Sequence, residues 1–143
     1  MPTRTATAKW TGGLKTGNGT FRGQTGLGGG YSFATRFEEA VGSNPEELLA
    51  ATEASCFSMA LSAGLEKEGF SPGSVETKAA CTVERVDGGF KITRMELTTV
   101  AVVPGIDDAK FQSIANATKD GCPVSGALKG NVQITVTASL AQA

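Results

Sequence analysis

One stretch constrains the fold of this chain more than any other: the run from Asn44 to Lys67, which opens on a helix-start signal and then stays small or apolar for most of its length. It begins Asn44-Pro45-Glu46-Glu47. Asn44 is a good N-cap, because its side-chain oxygen can accept a backbone N–H of the first turn. Pro45 suits the first helical position, where its missing N–H would have had no partner. Glu47, three residues past Asn44, can complete a capping-box-like exchange, and both glutamates favour the positive end of the helix. The helix is predicted to run through Leu48, Leu49, Ala50, Cys56, Met59, Ala60 and Leu61 to about Lys67, with Gly69 as terminator. Its middle, AATEASCFSMALSAG, is mostly apolar or small, so most of its surface is expected to be buried, in the core or against a partner.

Strand signals flank this helix. Thr5 to Trp10, Gly19 to Gly23 and Tyr31 to Phe37 read as short strands, with the Gly-rich GQTGLGGG (23–30) as a flexible hairpin loop. That loop matches neither phosphate-binding glycine pattern. Ser74–Val86 and Phe90–Val103 read as two strands joined by a turn at Asp87-Gly88-Gly89, and Pro104-Gly105 ends the second. A helix follows from about Asp107 to Lys119, with Phe111, Ile114 and Ala115 on one face and Gly121 as its stop. Cys122-Pro123 opens a short helix ending near Gly130, and Val132, Ile134 and Val136 alternate in a last strand. This order is an α+β pattern without alternating βαβ units. With 143 residues, no repeat and no linker, residues 1–143 are expected to form a single domain.

Composition narrows the chemistry. A formal net charge of -1 and no basic run give no nucleic-acid footprint. The N-terminal MPTRTATAKW has no secretory apolar core and no stretch approaches the length of a membrane span, so a cytoplasmic location and no membrane role are expected. There is no histidine, which excludes Ser-His-Asp and Cys-His catalysis within the chain and His-containing metal sites. The three cysteines, Cys56, Cys81 and Cys122, form no C-x-x-C pair, and their spacings match no common zinc pattern. No cofactor or metal is expected.

The cysteines differ in setting. Cys81 is in phase with Val75, Ala79 and Val83 on one strand face and reads as a buried small hydrophobe. Cys56 lies mid-helix, where burial alone would make it inert; reactivity there requires a cation to hold the thiolate, a task that suits arginine. Cys122 lies at a Gly-Cys-Pro helix entrance, where a helix dipole favours a thiolate, or else is an ordinary loop cysteine.

The run Thr35 to Leu61, TRFEEAVGSNPEELLAATEASCFSMAL, resembles the osmotically inducible protein C (OsmC) peroxiredoxins, and VPGID (103–107) and GCPVS (121–125) match the same family in order. The resemblance covers nearly the whole chain. It implies an OsmC-like α+β fold, an intertwined homodimer, and a peroxidase that reduces organic hydroperoxides and hydrogen peroxide at the expense of thiols in oxidative and osmotic stress. It makes Cys56 the peroxidatic cysteine, Cys122 the resolving cysteine, Arg36 the activating arginine and Glu46 the residue that orients it. In the sister branch, the organic hydroperoxide resistance proteins, the arginine comes earlier, and Arg22 would be its counterpart; the TRFE and GCPVS contexts favour Arg36. The implied reductant is a dithiol such as dihydrolipoamide on a lipoyl protein. Phe33, Phe37, Phe57 and Met59 are nearby apolar residues that either line a substrate pocket or fill core.

Two other classes compete with this reading: a redox sensor or disulfide oxidoreductase using the same cysteines, and a non-catalytic dimeric protein of the same fold. The survival of Cys56, Cys122, Arg36 and Glu46 together argues against the second. Glu46 and Cys56 are ten residues apart on one predicted helix, about 15 Å along its axis. One straight helix cannot bring them together. Either it breaks, or Glu46 and Arg36 act on the cysteine of a second subunit, and AATEASC holds no proline or glycine to break it.

Overall fold

A computed structural model describes residues 1–142. The chain forms two compact units, Met1–Leu48 and Leu49–Ala143. The first holds an antiparallel sheet of β1 (Ala6–Thr11), β2 (Asn18–Gly23) and β3 (Gly28–Ser32) in the order β1-β2-β3, followed by the short helix α1 (Phe33–Phe37). Helix α2 (Pro45–Lys67) starts at the end of this unit and is one unbroken element. The Glu47 N–H donates to Asn44 Oδ1 at 2.8 Å, the cap expected from the sequence.

The second unit pairs β4 (Ser74–Val86) antiparallel with β5 (Gly89–Val102), and β5 parallel with β6 (Gln133–Leu140). A parallel pair cannot be joined by a tight turn. The crossover from β5 to β6 is made by α3 (Asp108–Gly121) and α4 (Pro123–Leu128). The core joins Met95, Leu97 and Ala101 of β5, Phe57, Leu61 and Leu65 of α2, and Phe111, Ile114 and Ala115 of α3. A polar chain crosses it: Ser58 Oγ donates to Thr77 Oγ1 at 2.8 Å, and Thr77 shares a 3.0 Å hydrogen bond with buried Thr99.

Several expectations change. Tyr31 ends a strand with Ser32, but Phe33–Phe37 is helical, because Ser32 and Thr35 form a capping box: Thr35 N–H donates to Ser32 Oγ and Ser32 N–H to Thr35 Oγ1. The Gly-rich segment is loop only from Gln24 to Leu27; Gly23 ends β2, and Gly28, Gly29 and Gly30 are strand, where Gly29 lies opposite Phe21 and a Cβ on it would crowd the Phe21 ring. The third helix continues to Gly121. Cys81 is half-buried, packed against the core rather than within it. Among the described residues one helix, α2, is long and apolar enough to cross a membrane by length and composition, contrary to the sequence expectation. It is nevertheless two-faced: Phe57, Leu61 and Leu65 are fully buried in the protein core, while Met59 is 77% exposed.

Candidate active site

The N-terminal unit holds an arginine in a forked ion pair. The capping box ends β3 and turns the chain into α1, whose fourth residue is Arg36. Arg36 Nε lies 3.1 and 3.2 Å from the two Glu46 carboxylate oxygens, and Nη2 donates to Oε1 at 2.8 Å. This forked pair leaves Nη1 outside it and sets the plane of the guanidinium. Glu46 is nearly buried, with 7% of its side chain exposed, against 37% for Arg36. The Arg36 guanidinium also lies 5.0 Å from the Phe37 ring centroid. Beside it is a cleft of about 240 Å³ lined by Trp10, Leu14, Tyr31, Phe33, Arg36 and Phe37. Phe33 and Phe37 thus face open space next to a cation. Arg22 lies on β2 opposite Thr7 and Gly28, away from this ion pair in sequence and in sheet register.

The C-terminal unit brings together two sulfurs. Cys56 lies on α2, and Cys122 is both the C-cap of α3 and the N-cap of α4. The Cys122 N–H donates to the Thr118 carbonyl at 2.9 Å, and Pro123 starts the next helix. These backbone constraints aim the Cys122 side chain inward, where it is 1% exposed and makes no capping hydrogen bond. Its Sγ donates to Cys56 Sγ at 3.0 Å, with both thiols unlinked. At the start of α4 the Val124 N–H hydrogen-bonds to Cys56 and lowers its pKa. The net direction is still upward. Burial pushes the Cys56 thiol above the ordinary value of 9.0, helped by the hydrogen bond with Cys122 and by the charges of Cys122 and Glu53.

Glu53 is a residue the sequence reading passed over. It is fully buried; its Oε1 accepts a short hydrogen bond from Ser125 Oγ and lies 4.0 Å from Cys122 Sγ, and its Oε2 has no hydrogen-bond partner among the described residues. A signal existed: Glu53, Phe57, Leu61 and Leu65 follow one another at intervals of four, which puts a carboxylate on the core stripe of the helix. Of the other apolar residues near the motif, Phe57 fills core and Met59 points to solvent.

Residues 38–137 match the family model described as OsmC-like protein. Peroxiredoxin OsmC of Escherichia coli is 45% identical over 129 residues, covering 89% of this chain and 90% of that protein. Among solved structures, an organic hydroperoxide resistance protein from Elizabethkingia anophelis superposes with a TM-score of 0.76 at 26% identity, covering 96% of each chain. The organic hydroperoxide resistance protein OhrB of Bacillus subtilis superposes with a TM-score of 0.70 at 28% identity, covering 94% of this chain and 97% of its own. With a family model spanning most of its length and a relative at 45% identity over nearly all of it, this chain belongs to the OsmC family.

Proposed function

We propose that this protein is a peroxiredoxin-type enzyme that detoxifies hydroperoxides, with Cys56 as the attacking thiol and Cys122 as the thiol that resolves it. The relatives named peroxiredoxin OsmC and organic hydroperoxide resistance protein support the peroxide-reducing activity. The observation that carries the residue assignment is the 3.0 Å approach of Cys122 Sγ to Cys56 Sγ from elements far apart in sequence.

In the first step the Cys56 thiolate attacks the distal oxygen of the hydroperoxide. The O–O bond breaks, the alcohol leaves and Cys56 becomes a sulfenic acid. Cys122 then condenses with it, releasing water and forming a disulfide, and an external dithiol, proposed to be a dihydrolipoamide group on a lipoyl protein, restores both thiols. Because burial pushes the Cys56 thiol up, a cation has to hold the thiolate. Arg36, oriented by Glu46, is assigned that role, and the apolar cleft beside it suits the organic part of an alkyl hydroperoxide.

The working unit is proposed to be a homodimer in the cytoplasm, each chain acting as one OsmC-like domain. The support is in α2. The helix is unbroken, so helical rise keeps Glu46 and Cys56 about 15 Å apart along it. Its outward face carries Ala51, Ser55, Met59 and Ala63, all exposed, small or apolar, and suited to close packing against a second copy. Antiparallel packing of two such helices brings Glu46 and Arg36 of one chain toward Cys56 of the other.

The test is turnover of tert-butyl hydroperoxide and hydrogen peroxide with dihydrolipoamide, thioredoxin or glutathione as reductant. Cys56→Ser is expected to lose turnover entirely, because a hydroxyl is a poor nucleophile at neutral pH. Cys122→Ser is expected to react once, leave a trappable Cys56 sulfenic acid and then stall. Mass spectrometry of the wild type after one equivalent of peroxide is expected to find the Cys56–Cys122 disulfide. Retained turnover in Cys56→Ser, or a Cys56–Cys81 bond, overturns the assignment.

A further inference from the structure

We propose that Glu53 is the proton-transfer group of the resolving step: its carboxylate takes the thiol proton of Cys122 as that sulfur attacks oxidised Cys56, then returns the proton to the departing hydroxide. This rests on the peroxidase reading above. Four observations carry it. Glu53 is fully buried on the core stripe of α2, a position its helical neighbours Phe57 and Leu61 fill with apolar side chains. Its Oε2 is buried without a hydrogen-bond partner among the described residues, an arrangement that folding alone disfavours. Its Oε1 is held by Ser125 Oγ and lies 4.0 Å from Cys122 Sγ, within reach of the one thiol proton once that proton turns away from Cys56. Cys122 is 1% exposed, so bulk water has little access to its proton, and the chain has no histidine to take it.

The step balances. The S–H bond of Cys122 breaks and its proton moves to the Glu53 carboxylate. The sulfur electron pair forms the S–S bond while the S–O bond of the Cys56 sulfenic acid breaks. Hydroxide leaves with the S–O bonding pair and takes the proton from Glu53 to become water. Cys122 is oxidised, the sulfenic sulfur is reduced, and Glu53 ends as it began. Its presence has an opposite effect on the first step, since its charge is one of the influences that push the Cys56 thiol up. A carboxylate that hinders peroxide attack yet sits against the second sulfur is accounted for by the second half of the cycle.

The experiment mixes reduced protein rapidly with one equivalent of tert-butyl hydroperoxide, traps sulfenic acid with dimedone at timed intervals, and quantifies trapped Cys56 and the Cys56–Cys122 disulfide by mass spectrometry. In Glu53→Gln, which keeps the shape and an oxygen for Ser125, sulfenic acid is expected to form and persist. Disulfide formation near neutral pH is expected to fall at least tenfold, toward the roughly hundredfold that a positioned proton acceptor contributes. It is expected to recover as pH rises and Cys122 ionises unaided. A smaller loss, or one that is equal at every pH, overturns the proposal, because a purely structural defect has no reason to be relieved by alkali. Where Glu53→Gln does not fold, the wild-type rate decides: disulfide formation nearly independent of pH through the neutral range is expected, and a rise of tenfold per pH unit overturns it. Absence of any sulfenic acid or disulfide in the wild type defeats the peroxidase reading itself and is distinguishable from both.

Discussion

Burial and the facing Cys122 both push the Cys56 thiol up, so its own surroundings favour the protonated form. The sign follows directly. That preference supports the reduced fold fully below the ordinary thiol range, and it is lost as pH rises through the raised pKa. At neutral pH the same preference disfavours the thiolate, and the proposed mechanism has an outside cation reverse it. Arg36→Ala is therefore expected to move the Cys56 titration midpoint further up, read as the rate of thiol alkylation against pH. An unchanged midpoint removes Arg36 as the activating cation and makes Arg22 the next to test. Family motifs in the sequence single out Cys56, Cys122, Arg36 and Glu46 as candidates, but no sequence pattern gives their contacts. The Ser125 and Cys122 contacts with Glu53 join residues 72 and 69 positions apart, and such separations leave no local pattern.

Among the elements, those with strong end signals were the legible ones. The Asn44 cap and Pro45 set the start of α2, the turn before Gly89 separates β4 from β5, and Pro123 opens α4. The element that was missed, α1, has only five residues, too few to show helical periodicity, and its Phe and Thr residues also suit a strand. What decides it is the reciprocal Ser32–Thr35 bonding, a sequence signal that spans only four residues. Glu53 was overlooked for a related reason. Reading the middle of α2 as generally small and apolar hides the face on which each residue falls, and only phasing with Phe57, Leu61 and Leu65 shows the carboxylate turned inward.

For the whole molecule, the shared-site reading makes a demand that a self-contained monomer does not. Cys56→Ser protein and an Arg36→Ala, Glu46→Ala double variant are each expected to be inactive alone. Co-refolded, their heterodimers hold one complete site and are expected to recover peroxidase activity. Heterodimers that form but stay inactive count against a site built by two chains. The parallel pairing of β5 with β6 has its own consequence for such an enzyme. It obliges the chain to cross back through α3 and α4, and Cys122 lies at the joint of that crossover. A bond from there to Cys56 ties the crossover to α2 and closes a loop with a separation of 66 residues, worth about 4 kcal/mol of unfolded-chain entropy. Under the proposed mechanism each catalytic cycle alternates between a laced and an unlaced scaffold. Calorimetry is expected to find the oxidised wild type melting above the reduced form, with no such gap in Cys122→Ser. Prolonged starvation for reductant would leave this enzyme idle but harder to unfold, a resting form that endures until electrons return.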